Sequence, residues 1–350
     1  MTATMRAAFV KSPFQIALRE VPVPEVKPGW ILVKVEACGI CGTDVHTAKG
    51  GAKDWMPFGH EVAGVAAKVG AGVRTVREGD KVVLESGSFC RFCDVCRDGR
   101  VDLCNVGPNY WRNPTMGFAE YILAPEEATV VYEGLTLKQA AIVEPLGVAL
   151  DLVYTAEIRP GNDVLVVGLG PIGLMTVALA RRVGAGRVYA CHTTAGRRMA
   201  AAQALGADEV FSVRETPIAQ YPYRHRRTAG GLPRREHVVE RALVTAPPRV
   251  LPETLEVLNY GGIVAYIGIA WGEGQHITIA ADDFHFNKAQ LRASFASPAL
   301  YFPTCLQMLR DGWVDAEQIV SHVMPLEQLG EALALLRDDS ANTLKVVITP

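Results

Sequence analysis

Four side chains in the first half of the sequence are of types that bind a catalytic metal ion. They are the thiol of Cys41, the imidazole of His60 and the carboxylates of Glu61 and Glu144. Zn²⁺ accepts all of these donors, and a catalytic zinc keeps one coordination position open for substrate. Wide separation of the donors along the chain is typical of such sites. The four residues therefore predict a catalytic zinc centre.

A second set of donors lies in one short segment. Four cysteines are separated by two, two and seven residues: Cys90, Cys93, Cys96 and Cys104. Spacers this short let one loop wrap four thiolates around a tetrahedral ion, and a site with no open position is structural. On spacing alone, an iron–sulfur cluster stays open as an alternative. Cys38, three residues before Cys41, is assigned to packing.

A glycine-rich turn in the middle of the sequence has the pattern of a dinucleotide site. Residues 163–167 predict a buried strand, and Gly168-Leu-Gly-Pro-Ile-Gly173 leads from it into an apolar helix. Gly168 permits the tight turn, Gly170 lets a pyrophosphate approach the backbone, and Gly173 allows close helix packing. Around Ile172 the start of the helix offers N–H groups to the anion. The turn therefore predicts dinucleotide binding.

The residue expected to select between NAD and NADP departs from the usual pattern. About 20 residues after the turn, an acidic side chain ordinarily bonds the ribose diol and repels a 2′-phosphate. His192 stands at that point instead, and Arg197 lies in the helix that follows. Neither side chain repels a phosphate, and both can donate hydrogen bonds to one. The sequence leaves NAD and NADP both open.

Two kinds of secondary structure must position these residues. From about Met5 to Tyr132, short β-rich runs are broken by glycine and proline, which predicts a barrel-like domain. From about residue 137 the pattern becomes helical and then alternates strand with helix, which predicts a doubly wound parallel sheet of six strands. Near the end, an amphipathic helix over 304–311 precedes an edge-like strand over 344–349 that returns to the first domain.

Length and charge limit the class of protein. At 350 residues the chain is long enough for two domains, and 35 basic against 37 acidic residues give no reason to expect nucleic acid or an anionic membrane as partner. The first residues lack a secretory signal, and no apolar run approaches the roughly 18 residues of a spanning helix. The crowding of four cysteines in a metal-like spacing indicates a reducing compartment. A cytoplasmic enzyme is expected.

The segments around the first donor set are similar to those of a known family. They read Cys38-Gly-Ile-Cys-Gly-Thr-Asp-Val-His46, Gly59-His-Glu-Val-Ala-Gly64 and Val143-Glu-Pro-Leu-Gly147. They resemble the medium-chain zinc alcohol dehydrogenases, and within them the branch of sorbitol (polyol) and L-threonine dehydrogenases. The resemblance extends over nearly the whole chain.

The resemblance implies an α/β fold made of a GroES-like β-barrel catalytic domain and a Rossmann domain. The expected limits are 1–152 for the catalytic domain, with the structural zinc lobe at 90–104, then 153–292 for the Rossmann domain and 293–350 for a return to the catalytic domain. A homotetramer or homodimer is expected, acting on a small-molecule alcohol.

The resemblance also implies roles for particular residues. Cys41 and His60 would ligate zinc, with Glu61 and Glu144 sharing the remaining position directly or through water. The resemblance further implies roles for Thr43, to take the substrate proton; for His46, to pass it towards solvent; and for Ile267, Gly268 and Ile269, to face the nicotinamide. Two expectations come from general chemistry instead. Asp44 stands in a turn, where an aspartate can brace the Cys41 loop by accepting backbone N–H bonds, and Phe118 with Tyr110 or Trp111 are expected as walls of the substrate pocket.

The expected activity is zinc-dependent hydride transfer from a secondary alcohol, polyol or sugar-like, to NAD or NADP. Three alternatives stay open: an L-threonine 3-dehydrogenase, a zinc-free NADPH-dependent alkene or quinone reductase, and a non-catalytic member of the family. The basic stretch over 215–240 lacks an apolar period where a strand and a helix are due. A solvated irregular loop is expected there, with a phosphate or partner site as the alternative.

Overall fold

A computed structural model describes residues 3–224, 239–272, 274–297 and 299–350. The chain divides into two compact units. The first contains Met1–Gly147, Ala296–Gly312 and Val320–Pro350, and the second contains Val148–Phe295 and Trp313–Ile319. The domain limits at 152 and 292 stay predictions, because a division by compactness does not define where an independent domain ends.

Strands make up most of the first unit, and strands alternate with helices in the second. In chain order the strands are β1 (Thr4–Lys11), β2 (Gln15–Pro22), β3 (Trp30–Gly39), β4 (Met56–Pro57), β5 (Glu61–Val69), β6 (Lys81–Leu84), β7 (Tyr121–Pro125), β8 (Thr129–Val131), β9 (Val164–Val167), β10 (Val188–His192), β11 (Glu209–Ser212), β12 (Val239–Val244), β13 (Leu258–Tyr266), β14 (Gln290–Ala293), β15 (Val320–Pro325) and β16 (Lys345–Thr349).

The α-helices are mostly short. In chain order they are α1 (Gly42–His46), α2 (Asp94–Arg97), α3 (Leu137–Ala141), α4 (Val143–Ala156), α5 (Pro171–Arg182), α6 (Arg197–Ala204), α7 (Leu251–Glu256), α8 (Ala281–Phe286), α9 (Phe302–Arg310), α10 (Ala316–Ile319) and α11 (Leu329–Asp338). A π-helical turn, Thr47–Gly51, extends α1. Single 3₁₀ turns occur at Val101–Leu103, Glu126–Ala128, Ile218–Gln220, Pro248–Val250 and Leu326–Gln328.

In the first unit, antiparallel pairing brings the end of β3 to the start of β5. Its larger sheet runs in the order β15-β16-β3-β5-β6-β8, with β7 also paired to β3, and a smaller sheet has the order β2-β1-β4. Gly39, the last residue of β3, lies opposite Glu61, the first residue of β5. Residues just after β3 and just before β5 are therefore held close together, however far apart they are in sequence.

The last strand of the chain lies inside the larger sheet. The sequence predicts an edge-like strand over 344–349, but β16 pairs with β15 on one side and with β3 on the other, so this prediction is wrong. Lys345–Ile348 are all buried. Continuous burial is what an interior strand covered on both faces requires, and it matches the apolar run that follows Lys345.

The second unit is a parallel sheet of six strands in its described part. The order is β11-β10-β9-β12-β13-β14, which is 3-2-1-4-5-6 when its strands are counted from β9. This is the strand order of the doubly wound dinucleotide fold. β9 lies in the middle, where all four of its residues are buried, and helices on both faces require such apolar strands.

In the described residues, no helix is long and apolar enough to cross a membrane.

The irregular stretch predicted over 215–240 lies partly outside the described residues, which omit 225–238. The part before the omission contains a 3₁₀ turn and then an aromatic cluster. Tyr221 stacks on Phe211 with ring centroids 3.9 Å apart, and Tyr223 packs edge-on against Tyr189 at 5.1 Å. These rings supply buried apolar contact without a helical period, which is why periodicity alone predicted no element there.

Candidate active site

Three metal donors meet where β3 ends and β5 begins. Cys41 stands at the N-cap of α1, directly after β3, while His60 and Glu61 stand at the start of β5. One donor atom from each lies within 4.8 Å of the donor atoms of the other two. Donors that share a zinc ion at about 2.0–2.3 Å must lie this close together. The cluster of thiol, imidazole and carboxylate therefore fits zinc.

Glu144 lies in the first turn of α4 and is held by a neighbouring hydroxyl. Its Oε1 accepts a hydrogen bond of 2.9 Å from Ser86 Oγ. Burial raises the pKa of Glu144, with His60 opposing and Glu61 adding to the shift. Among the described residues, the close donor cluster comprises Cys41, His60 and Glu61 without Glu144. That Glu61 and Glu144 both serve the metal stays a prediction.

Asp44 braces the donor loop, as the sequence predicts. Its carboxylate accepts the backbone N–H of Cys41 at 2.8 Å and the N–H of Gly59 at 3.2 Å. It therefore ties the end of β3 to the start of β5. Its Oδ1 also lies 3.8 Å from His60 Nδ1, a buried nitrogen for which the described residues supply no hydrogen-bond partner.

Negative charge dominates the surroundings of His60. Burial lowers its pKa, but the charges of Cys41 and Asp44 outweigh burial, and the pKa is raised well above its ordinary value. Surroundings that favour a positive imidazolium also favour a divalent cation. This electrostatic character follows from the same arrangement of donors and is consistent with a bound zinc ion.

Lys345 is a buried charged residue beside the donor cluster that the sequence reasoning missed. Its Nζ lies 2.6 Å from both carboxylate oxygens of Glu61 and 2.9 Å from the carbonyl oxygen of Ile40, and its side chain is 3% exposed. Burial lowers its pKa, but Glu61 and then Cys41 outweigh burial, so the pKa is raised and the side chain is an ammonium. The available signal was a single lysine heading the apolar run of β16.

Thr43 and His46, the predicted proton-transfer residues, both lie on α1, the short helix whose N-cap is Cys41. Thr43 Oγ1 is 3.7 Å from Cys41 Sγ, and both Thr43 and His46 are half-buried. The ring of His46 lies beside Gly51 in the π-helical turn, where an added Cβ would be 3.6 Å from it. The structure thus places Thr43 beside the donor cluster, and their roles stay predictions.

Of the three aromatic residues predicted as substrate walls, Trp111 has an accessible face. Tyr110 and Phe118 are 0% and 1% exposed, so they belong to the core and the prediction is wrong for them. The Tyr110 hydroxyl donates to the carbonyl oxygen of His60 at 3.0 Å. Trp111 is 44% exposed, and its ring centroid lies 5.1 Å from that of His60.

The four cysteines of the lobe form a second donor cluster. Their sulfur atoms all lie within 4.8 Å of one another, and the segment contains only short helices, α2 and a 3₁₀ turn. Backbone N–H groups of Phe92 and Cys93 donate to Cys90 Sγ, and these hydrogen bonds lower the pKa of Cys90 to about 6. A structural zinc requires thiolates, and Cys90 favours one at neutral pH, whereas burial and the neighbouring cysteine side chains raise the pKa of Cys96 to about 12. Cys38 is buried outside both clusters.

The glycine turn has the backbone geometry that its sequence predicts. Gly168 adopts φ +96°, a conformation that side chains disfavour. Gly170 is the N-cap of α5. A Cβ on Gly173 would lie 1.9 Å from the carbonyl oxygen of Gly168, so α5 approaches β9 too closely for any side chain there. Ile172 lies in the first turn of α5. This turn fits a bound pyrophosphate.

His192 ends β10 beside this turn and is neutral. Its Nδ1 lies 3.4 Å from the backbone N–H of Leu169, and burial, aided by the charge of Arg198, lowers its pKa to about 4. Arg198 is buried and donates to the carbonyl oxygen of Leu169 at 3.0 Å, whereas Arg197 is exposed. Of these two adjacent arginines at the start of α6, the buried one beside the turn is therefore Arg198.

The segment predicted to face the nicotinamide follows β13. The N–H of Ile267 donates to the carbonyl oxygen of Val244 at 3.0 Å, and a Cβ on Gly268 would lie 1.8 Å from the carbonyl oxygen of Ala246. Ile269 is 53% exposed. Gly268 therefore lets the loops after β12 and β13 touch, and Ile269 presents an apolar side chain at the carboxyl edge of the sheet, where dinucleotides bind in this topology.

Comparison with known sequences gives two family matches and close relatives. Residues 27–133 match the model described as alcohol dehydrogenase GroES-like domain, and residues 171–311 match zinc-binding dehydrogenase. Sorbitol dehydrogenase from Bacillus subtilis is 29% identical over 355 residues, covering 99% of this chain and 97% of that protein. D-xylulose reductase A from Aspergillus oryzae is 30% identical over 327 residues, covering 91% and 89%.

Comparison with solved structures shows the same architecture in full length. A candidate zinc-binding dehydrogenase from Sinorhizobium meliloti, solved with NADP bound, has a TM-score of 0.87 and 27% sequence identity, and the alignment covers 100% of both chains.

Proposed function

Because this chain belongs to the family of medium-chain zinc-dependent alcohol dehydrogenases, we propose that it transfers a hydride from the secondary carbinol of a polyol or sugar-like alcohol to NAD or NADP. The observation that carries the proposal is the cluster of Cys41, His60 and Glu61, with a second buried carboxylate, Glu144, nearby. The named relatives act on sorbitol and D-xylulose, which favours a substrate with several hydroxyl groups.

In this proposal Cys41 and His60 hold the catalytic zinc, and Glu61 and Glu144 complete its surroundings directly or through water. The cysteines of the lobe hold a structural zinc. When bound, the catalytic zinc supplies Lewis acidity to the alcohol and the nicotinamide supplies the hydride acceptor. The protein's own task is to fix the donors, which Asp44 does by binding the backbone on either side of them.

Thr43 is proposed to accept the proton of the substrate hydroxyl, and His46 to pass it towards solvent. The support is position: Thr43 Oγ1 lies 3.7 Å from Cys41 Sγ, and His46 follows on the same helix. A threonine hydroxyl both accepts and donates, and an imidazole exchanges protons near neutral pH. A substrate bound beside Cys41 would thus have a relay leading away from the metal.

We propose that Gly168, Gly170, Ile172 and Gly173 bind the cofactor pyrophosphate, and that Ile267, Gly268 and Ile269 contact the nicotinamide. Both NAD and NADP are expected to serve, because neutral His192 offers no carboxylate to repel a 2′-phosphate, and Arg197 lies exposed just beyond it.

Replacing His192 with aspartate is expected to shift the enzyme towards NAD. Close like charges cost several kcal/mol when desolvated, and less at a partly solvated site, so the ratio of kcat/KM for NADP to that for NAD should fall by at least about tenfold. Steady-state kinetics with both cofactors measures this ratio. The control is His192→Asn, because asparagine has the size of aspartate without its charge, and this variant should leave the ratio nearly unchanged. An unchanged ratio in His192→Asp would show that this residue does not face the 2′ position.

We also propose a cytoplasmic homo-oligomer, either a tetramer or a dimer. All eight cysteines are free thiols, and both donor clusters need reduced sulfur, which favours a reducing compartment.

Support for oligomerisation comes from the edge of the parallel sheet: β14 ends the described strand order, and Phe286 and Phe295 near it are 60% and 77% exposed. Exposed aromatic side chains beside a sheet edge are typical of a protein interface.

The function is tested by a substrate screen of zinc-replete enzyme. Polyols, sugars, L-threonine and simple secondary alcohols are each offered with NAD and with NADP, and absorbance of the reduced cofactor is followed. We expect turnover to be fastest with a polyol. Turnover confined to L-threonine would contradict the proposed substrate class. Turnover by protein from which zinc has been removed would contradict the proposed role of the metal.

A further inference from the structure

The Glu61 carboxylate occupies a slot that the sheet leaves open for it. Glu61 faces Gly39 across the β3–β5 pair, and a Cβ on Gly39 would lie 2.1 Å from Glu61 Oε2. The absence of that side chain lets the carboxylate lie against the backbone of β3. The side chain is 1% exposed, so its charge needs a partner within the protein.

The partner already present is Lys345. Its ammonium lies 2.6 Å from each carboxylate oxygen and is tied in turn to the carbonyl oxygen of Ile40. Both ends of this ion pair are almost fully buried, at 3% and 1% exposed. Lys345 comes from β16, which pairs with β3 next to Gly39, so the position of the ammonium is fixed by two strands. Such a contact is weakly screened and strongly directional.

This geometry makes Glu61 a donor with two competing cations. One of its oxygens lies within 4.8 Å of the donor atoms of Cys41 and His60, yet both oxygens are engaged by Lys345. An ammonium in contact with a carboxylate withdraws electron density from the oxygens that a metal would use. It also repels a nearby dication directly, because like charges this close interact strongly in a buried site.

We propose that Lys345 is a positioning residue that holds Glu61 as a weakened, exchangeable donor and so keeps a coordination position of the catalytic zinc available to substrate. The inference rests on the proposed function, namely that Cys41 and His60 hold zinc. It assigns to the strand β16 a role in tuning the metal site, in addition to its role in the sheet. Lys345 itself touches neither the substrate nor the reacting atoms in this scheme.

The inference predicts a change in zinc retention whose sign is diagnostic. In Lys345→Met, the Glu61 carboxylate is left buried with zinc as its nearest cation, so zinc should dissociate about tenfold more slowly or slower still. A partner that merely supported a ligand would give the opposite result, since its loss usually weakens metal affinity by about 10- to 100-fold. The rate is measured by transfer of zinc to a chromogenic chelator in excess.

Three further variants make the test specific. Lys345→Arg keeps the charge and should release zinc at close to the wild-type rate, whereas Lys345→Gln keeps a hydrogen-bond donor without the charge and should release it slowly, as Lys345→Met does. If Lys345→Met does not fold, the comparison of Gln with Arg decides the matter. Cys41→Ala identifies the release phase of this site, because that variant retains only the zinc of the cysteine lobe.

The possible results separate the two proposals. Unchanged or faster release in Lys345→Met and Lys345→Gln overturns the role of Lys345, while the proposed zinc site stands. A wild-type enzyme with no release phase that Cys41→Ala removes overturns the zinc site itself, and the role of Lys345 with it.

Discussion

Cys41→Ala is expected to lower turnover by about a thousandfold or more while leaving dinucleotide binding intact. The thiolate is the soft donor of the cluster, and it is held at the N-cap of α1 by the hydrogen bond from its backbone N–H to Asp44. Its loss should release the catalytic zinc. A metal acting as Lewis acid lowers the activation barrier by several kcal/mol, and each 1.36 kcal/mol of barrier corresponds to a factor of ten in rate.

Three measurements check this expectation: steady-state turnover of the polyol substrate, zinc content per chain, and cofactor affinity by titration. Zinc content should fall from two ions to one, and cofactor affinity should change little because the dinucleotide turn lies in the other compact unit. Cys38→Ala is the matched control. Cys38 is buried outside the donor cluster, so its truncation should lower stability modestly and leave turnover close to wild type. Retained turnover in Cys41→Ala would refute its assignment as a metal ligand.

Gly173→Ala is expected to destabilise the second unit and to abolish useful cofactor binding. The added methyl would lie 1.9 Å from the carbonyl oxygen of Gly168 and 2.9 Å from Thr245 Oγ1. The first of these neighbours is backbone in the tight turn itself, so it cannot move aside without opening the turn. Forced overpacking of this kind typically costs about 1–3 kcal/mol, and the displaced backbone is the part that receives the pyrophosphate.

Gly170→Ala provides the contrast. Gly170 has φ −70°, which any residue adopts, and a Cβ there would meet only Arg198 Nη1 at 3.7 Å. This variant should therefore fold with nearly wild-type stability, and any loss of cofactor affinity would report the close approach of the pyrophosphate alone. Thermal unfolding and cofactor titration of both variants measure the two effects. A Gly173→Ala protein with unchanged melting temperature and affinity would contradict the structural reading of the turn.

The sequence was most informative where function depends on short contiguous segments. The resemblance to medium-chain zinc alcohol dehydrogenases rests on such segments around Cys41, His60 and Glu144, and the family matches confirm it. The strand and glycine turn over 163–173, with an apolar helix opening from the turn, likewise predict β9 and the start of α5, since a buried strand and a glycine turn are local properties. The predicted α/β fold of two parts is also confirmed, because the change from short strands to alternating strands and helices is visible in local sequence patterns.

What the sequence could not reveal depends on contacts between distant segments. Lys345 reads as one lysine at the head of an apolar strand, and its partner Glu61 is 284 residues away. The interior position of β16 is equally hidden, because an apolar run as short as 346–348 is typical of both edge and central strands. Tyr110 and Phe118 are aromatic residues of the kind that line substrate pockets. Only their contacts in the structure show that they belong to the core: Phe118 packs against Phe58, and Tyr110 bonds the carbonyl oxygen of His60.

The placement of β16 inside the sheet also bears on how the protein is made. A ribosome adds about 5–20 residues per second, so the 284 residues between Glu61 and Lys345 take about 15–60 s to synthesise. Throughout that interval the nascent chain contains Cys41, His60 and Glu61 but lacks β16, which pairs with β3 in their sheet, and the ammonium that neutralises Glu61. The first unit therefore completes its folding after the second unit has emerged from the ribosomal exit tunnel, although the residues of the first unit begin to emerge earlier.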